Sequence, residues 1–149
     1  MTRHFALAAL AATLVACGGA GHTVPVEGKD EEVGLLAGKW EGTYTGTESG
    51  RQGSVQFDLA LGNHAAEGQV IMNTGAGPGT PLEIKFVRMN KGQISGKIRP
   101  YTDPGCNCLV ETEFTGAVTG NTMEGVFITH PQGSDQAQKG RWEAVRKAQ

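Results

Sequence analysis

From residue 35 onward, apolar and polar residues alternate with a period of two. Val55, Phe57, Leu59 and Leu61 alternate with Gln56, Asp58 and Ala60, and Leu82, Ile84 and Phe86 with Glu83, Lys85 and Val87. Ile94, Gly96 and Ile98 alternate with Ser95 and Lys97, and Val110, Thr112 and Phe114 with Glu111 and Glu113. Short alternating runs of this kind predict strands with one face buried. No i, i+3, i+4 stripe follows the first sixteen residues, and the chain's 23 glycines suit turns and bulges better than helices.

Three segments repeat a strand, a tight turn and a second strand opened by glycine: 55–72 with Gly68, 84–98 with Gly96, and 112–128 with Gly125. With strands at 36–46 and 140–146, the domain 35–149 holds eight strands in sequence order. The expected fold is all-β, an eight-stranded antiparallel up-and-down β-barrel, because closure removes the edges of such a meander. A β-sandwich is the alternative. The turns near Asn63, Lys91 and Gly120 are short, and the connections 47–53, 73–81, 99–108 and 130–139 are long. Connections in a meander alternate between ends, so the long ones gather at one mouth and the short ones at a closed end.

The first sixteen residues, MTRHFALAALAATLVA, pair a basic start at Arg3 with an apolar run from Phe5 to Val15. That run is shorter than the roughly 20 residues needed to span a bilayer core, and it has the form of a signal peptide. Leu14-Val15-Ala16-Cys17, followed by Gly18, resembles the lipobox of bacterial lipoproteins. The resemblance implies cleavage after residue 16, lipidation of Cys17, a membrane as partner, and residence in the cell envelope. Gly18, not Asp, after the cysteine implies the outer membrane in a cell that has two. Residues 17–34, rich in Gly, Pro and charge, read as a lipidated cysteine and flexible tether. Such a tether would meet the first strand at the closed end and leave the mouth facing away from the membrane.

The formal net charge of −2 and the scatter of Lys and Arg argue against nucleic acid as a partner. Gly38-Lys39-Trp40 opens the first strand, and Arg146 lies near the end of the last. The pair resembles the base of calycin-type barrels, the lipocalins and the avidin group, in which an Arg from the last strand covers the Trp of the first. The resemblance implies a barrel with Trp40 and Arg146 at its base and does not name a ligand.

The predicted interior runs through Trp40, Tyr44, Val55, Phe57, Leu59, Val70, Met72, Leu82, Ile84, Phe86, Ile94, Ile98, Val110, Phe114, Met123, Phe127 and Trp142. Eight-stranded barrels have the size at which side chains just fill the lumen or one small ligand fits. Cys106 and Cys108 stand in a long mouth loop behind Pro104-Gly105. In an envelope compartment this spacing reads as a local disulfide clip, with a metal site completed by His130, a redox pair or a bridge to a partner as the other readings. No cofactor and no metal is expected. Catalytic residues are not expected either, since no nucleophile elbow, zinc-protease helix or phosphate-binding loop occurs. Arg99, Tyr101, Asp103 and His130 are the candidate ligand-contacting residues of the mouth. The expected function is non-enzymatic binding of a small apolar or amphipathic ligand. The alternative is a protein-binding, inhibitor-type lipoprotein that uses the same loops.

Overall fold

The computed structural model of the chain describes residues 21–149 apart from residue 76. The signal-like segment and Cys17 lie outside the described residues. The strands are β1 (His22–Glu27), β2 (Gly38–Gly46), β3 (Gln52–Leu59), β4 (Ala65–Met72), β5 (Thr80–Leu82), β6 (Ile84–Asn90), β7 (Gln93–Asp103), β8 (Cys108–Thr119), β9 (Thr122–Pro131) and β10 (Gln138–Arg146). A helical turn α1 (Asp30–Val33) and a 3₁₀ turn Gly34–Leu36 separate β1 from β2.

Nine strands close into a barrel in the order β1-β6-β7-β8-β9-β10-β2-β3-β4, with β4 returning to β1 and β5 lying outside the ring on β4. The eight strands read from alternation are all present. Closure of the first on the last runs from Trp40↔Arg146 to Gly46↔Gly140. The remaining seam, between β4 and β6, is closed by a segment read from the sequence as tether. β1 pairs antiparallel with β4 from His22↔Gly68 to Pro25↔Ala65, and parallel with β6 at Val26↔Val87 and Glu27↔Arg88. Val24 and Val26 point into the core, as do Val33 and Leu36 of the two turns that follow. Each such buried aliphatic side chain contributes about 1.5–3 kcal/mol, so this stretch belongs to the domain.

The N-terminal stretch also corrects the expected point of attachment. Gly21 lies against Glu67 on the outer flank, and the chain descends along β1 before it crosses the base. The turns 60–64, 91–92 and 120–121 stand at that base. Lys91 and Gly92 both have positive φ (51° and 75°), the geometry of a tight hairpin whose twist matches its strands.

Two bulges shift the inward face. One extra residue of β6 between Ile84 and Phe86 breaks the register with β7. Beyond it Val87 and Met89 are buried, while Phe86 lies outside under the Arg88 guanidinium, 5.3 Å from its ring centroid. Phe86, read as interior, is therefore an exterior residue. The second bulge, between Ile98 and Tyr101, coincides with Pro100, which has no N–H to give the ladder. It turns Tyr101 inward and leaves the Arg99 side chain outside.

Candidate ligand-binding site

At the base the lumen is sealed. Trp40 donates its indole N–H to the Leu36 carbonyl at 2.8 Å, and Arg146 lies over the ring at 4.5 Å from its centroid. Arg146 also donates to the Leu35 carbonyl at 2.7 Å. A guanidinium over an indole contributes about 0.5–2 kcal/mol, and here it closes the barrel where the first and last strands meet.

Above this seal the wall is built from rings set against glycines. A methyl group on Gly96 would lie 2.2 Å from Phe114 Cζ, on Gly53 2.3 Å from Tyr44 Cε1, and on Gly140 2.1 Å from Phe127 Cζ. Each glycine is the direct cross-strand partner of the ring it accommodates. The space that these glycines leave is thus taken by aromatic rings lying along the wall. Tyr44 and Phe127 pack edge to face at 5.7 Å, as do Phe114 and Trp142 at 6.0 Å.

Two chambers remain in the lumen. The upper, about 80 Å³, opens at the mouth among Tyr44, Arg51, Tyr101, Asp103, Thr112, Thr129 and Gln138, over a floor that includes Val55, Val70, Leu82, Ile98 and Phe114. The lower, about 70 Å³, is walled by apolar side chains that include Leu36, Ile84, Val87, Ile94 and Met123. Val55, Val70, Phe114 and Trp142 border both chambers and form the partition between them.

The polar groups of the mouth are largely committed to one another. Asp103 is 6% exposed, and one of its carboxylate oxygens accepts from Arg51 Nη2 and from the Gly105 N–H, the latter at 2.6 Å. Arg51 Nη1 reaches Met72 Sδ at 3.6 Å. Thr112 and Thr129, from adjacent strands, join their buried hydroxyls at 2.8 Å. Burial pushes the Tyr44 hydroxyl up to about 12, with Tyr101 and Asp103 adding to the rise and Arg51 opposing it. Tyr101 is raised as well, first by burial and then by Asp103. Both phenols therefore stay neutral hydrogen-bond donors through the physiological range.

The structure brings Tyr101 and Asp103 together at the cavity and places Arg99 and His130 elsewhere. Arg99 pairs outside with Glu83 at 3.1 Å. β9 continues to Pro131, so alternation carries Thr129 inward and His130 to the exposed outer face. Cys106 and Cys108 are joined by a disulfide across Cα atoms 5.1 Å apart, in the turn that links β7 to β8. The Asn107 N–H donates to the Asp103 carbonyl at 2.8 Å, so the clipped turn abuts the residue that holds Arg51. No cluster of three or more His, Cys, Asp or Glu side chains suited to a metal occurs among the described residues.

Arg51, Thr129, Ser49 and Gln138 were not singled out from the sequence. Arg51 sits in a polar glycine-bearing loop, 52 positions from its partner Asp103, and no local pattern joins them. Thr129 had a signal in the alternation from Phe127, had the segment 112–128 been extended by one residue. No protein-family model matches the chain. No curated protein matches it either.

Proposed function

We propose that the chain is a non-enzymatic binding barrel, anchored in the cell envelope, that takes a small apolar or amphipathic molecule through its long-loop mouth. The observation that carries this reading is the upper chamber, which has an apolar floor, a polar rim and access to solvent on one side. Its one buried carboxylate, Asp103, is held by Arg51 and Gly105, an arrangement suited to fixing the rim. The lipobox-like run supports lipid attachment at Cys17 and, with Gly18, an outer-membrane location in a cell with two membranes. Four residues from Cys17 to Gly21 give a leash of at most about 14 Å, which favours a barrel lying on its flank.

Native mass spectrometry of the full chain, released from detergent without reductant, tests the reading. The expected result is a small-molecule adduct that leaves on denaturation. A chain that carries no adduct and instead captures an envelope protein through its mouth loops would favour the inhibitor-type alternative.

A further inference from the structure

We infer that the mouth cavity selects neutral amphiphiles, with a compact apolar body and one uncharged oxygen acceptor as head, over molecules bearing a carboxylate or an ammonium. The inference rests on the binding-barrel reading and adds the class of ligand.

Among the described residues two charged side chains line the chamber, Arg51 and Asp103, joined through Nη2 and one carboxylate oxygen, so the pair as a whole brings no net charge. A carboxylate that reached the remaining Arg51 N–H groups would lie near the Asp103 carboxylate. An ammonium that reached the other Asp103 oxygen would face the guanidinium. Either ion would give up water without gaining a net counter-charge, a cost that a neutral head does not carry.

The neutral groups are differently placed. Thr112 and Thr129 share one hydrogen bond, while the Tyr44 hydroxyl has no protein hydrogen-bond partner among the described residues. It stands beside Tyr101 at the chamber's edge, and Ser49 and Gln138 complete a rim without further charge. A phenol O–H that faces the chamber with no protein acceptor can donate to a ligand ketone, ester or ether oxygen in place of water. The body has less room than benzene requires, since an apolar cavity of about 150 Å³ holds that ring and this chamber is about 80 Å³. By that comparison the chamber takes roughly three carbons, such as the branched end of an isobutyl group, with the head at the open mouth.

Three probes share an isobutyl body and differ only at the head: 4-methyl-2-pentanone, 3-methylbutanoate and 3-methylbutylammonium. Each is titrated into the full chain and followed by the backbone amide shifts of Tyr44, Tyr101 and Thr112, with dissolved xenon as a probe that has no head. The ketone should bind at least about tenfold more tightly than either ion. Tyr44→Phe should weaken the ketone by about five- to tenfold and leave xenon unchanged, which also reports that the variant is folded. Equal or tighter binding of either ion, or a ketone indifferent to Tyr44→Phe and to Tyr101→Phe, overturns the inference while the binding barrel stands. Failure of every probe, xenon included, overturns the reading beneath it.

Discussion

Trp40 and Tyr44 lie four residues apart on the same face of β2, and their surroundings differ in almost every respect. Trp40 is 1% exposed and covered by Arg146, with its one polar atom bonded to the Leu36 carbonyl. Tyr44 is half-buried beside a chamber, with its hydroxyl close to Arg51, Asp103 and Tyr101. The strand is continuous and the inward face unbroken, so the difference arises from what the neighbouring strands and turns deliver. At the base, β1, α1 and the 3₁₀ turn supply Val26, Val33 and Leu36 as a plug. At the mouth the connections supply Arg51 and Asp103, which hold each other and leave the centre open. One barrel thus has an end filled by its plug and an end where paired polar groups rim an open chamber.

The largest test of that division is at the base. Trp40→Ala should destabilise the domain by about 3–5 kcal/mol, the range for deleting a buried tryptophan, and should also release Arg146. Urea unfolding measures it. A loss under about 1 kcal/mol would show that the plug, and not the indole, seals the base. Tyr44→Ala should cost less, because its ring is only partly buried and one side faces the chamber.

The division was only partly legible in the sequence. Eight strands could be read because each carries its own alternation, a property of a few consecutive residues. β1 could not, because it has only Val24 and Val26 to bury, is interrupted by Pro25 and is followed by a charged run. What makes it a strand is the open seam between β4 and β6, which no local pattern encodes. The same reasoning accounts for Phe86, since alternation assigns faces correctly until a bulge adds a residue and reverses them. Arg99, read as part of a mouth loop, is instead a strand residue beside inward Ile98 and so faces out. Tyr101 and Asp103 were reachable from the turn-forming Pro104-Gly105 beside them. Arg51 was not, since its role depends on a partner from another hairpin.

A smaller effect sharpens the description of the mouth. The Thr112 and Thr129 hydroxyls are buried and share one hydrogen bond, so removing one takes away the other's partner. Thr112→Val should cost about 1–3 kcal/mol, and the double variant with Thr129→Val should recover most of that loss. A double-mutant cycle on urea midpoints reads the difference. If the double variant is merely the sum of the two single ones, water already serves these hydroxyls and the wall at this level is wetter than the geometry implies.

Alkali should affect the mouth before the base. Tyr44 is raised to about 12, chiefly by burial, from an unfolded value of 10, so the folded state holds its proton more tightly. Its contribution is complete below pH 10 and is lost as the pH rises from 10 through about 12. The chain's two tyrosines make this readable by phenolate absorbance near 295 nm, with Tyr101→Phe isolating Tyr44. A midpoint near 10 in the folded protein would mean that the mouth is as solvated as open water.

The smallest effect belongs to the base and runs in the opposite pH region. His64 presents Nδ1 to the Val26 carbonyl at 3.0 Å and Nε2 to the Asp30 carboxylate at 2.9 Å. Its backbone carbonyl accepts from the Val26 N–H at 2.9 Å. Two acceptors facing the two ring nitrogens favour the doubly protonated imidazolium, and the hydrogen bond to Asp30 is the main reason that His64 titrates above its usual 6.5. A raised value places the stabilising contribution at low pH: it is complete below about 6.5 and is lost as the pH rises through the folded value. The site is exposed, so the change in stability should be slight, and the titration itself is the better measurement. Proton NMR should place His64 above 6.5 in the native chain and closer to 6.5 in Asp30→Asn, with the Val26 amide shifting alongside. A Val26 amide that ignores the titration would show that His64 adds nothing to what the ladder, the two buried valines and the Glu27–Arg88 pair already supply to β1.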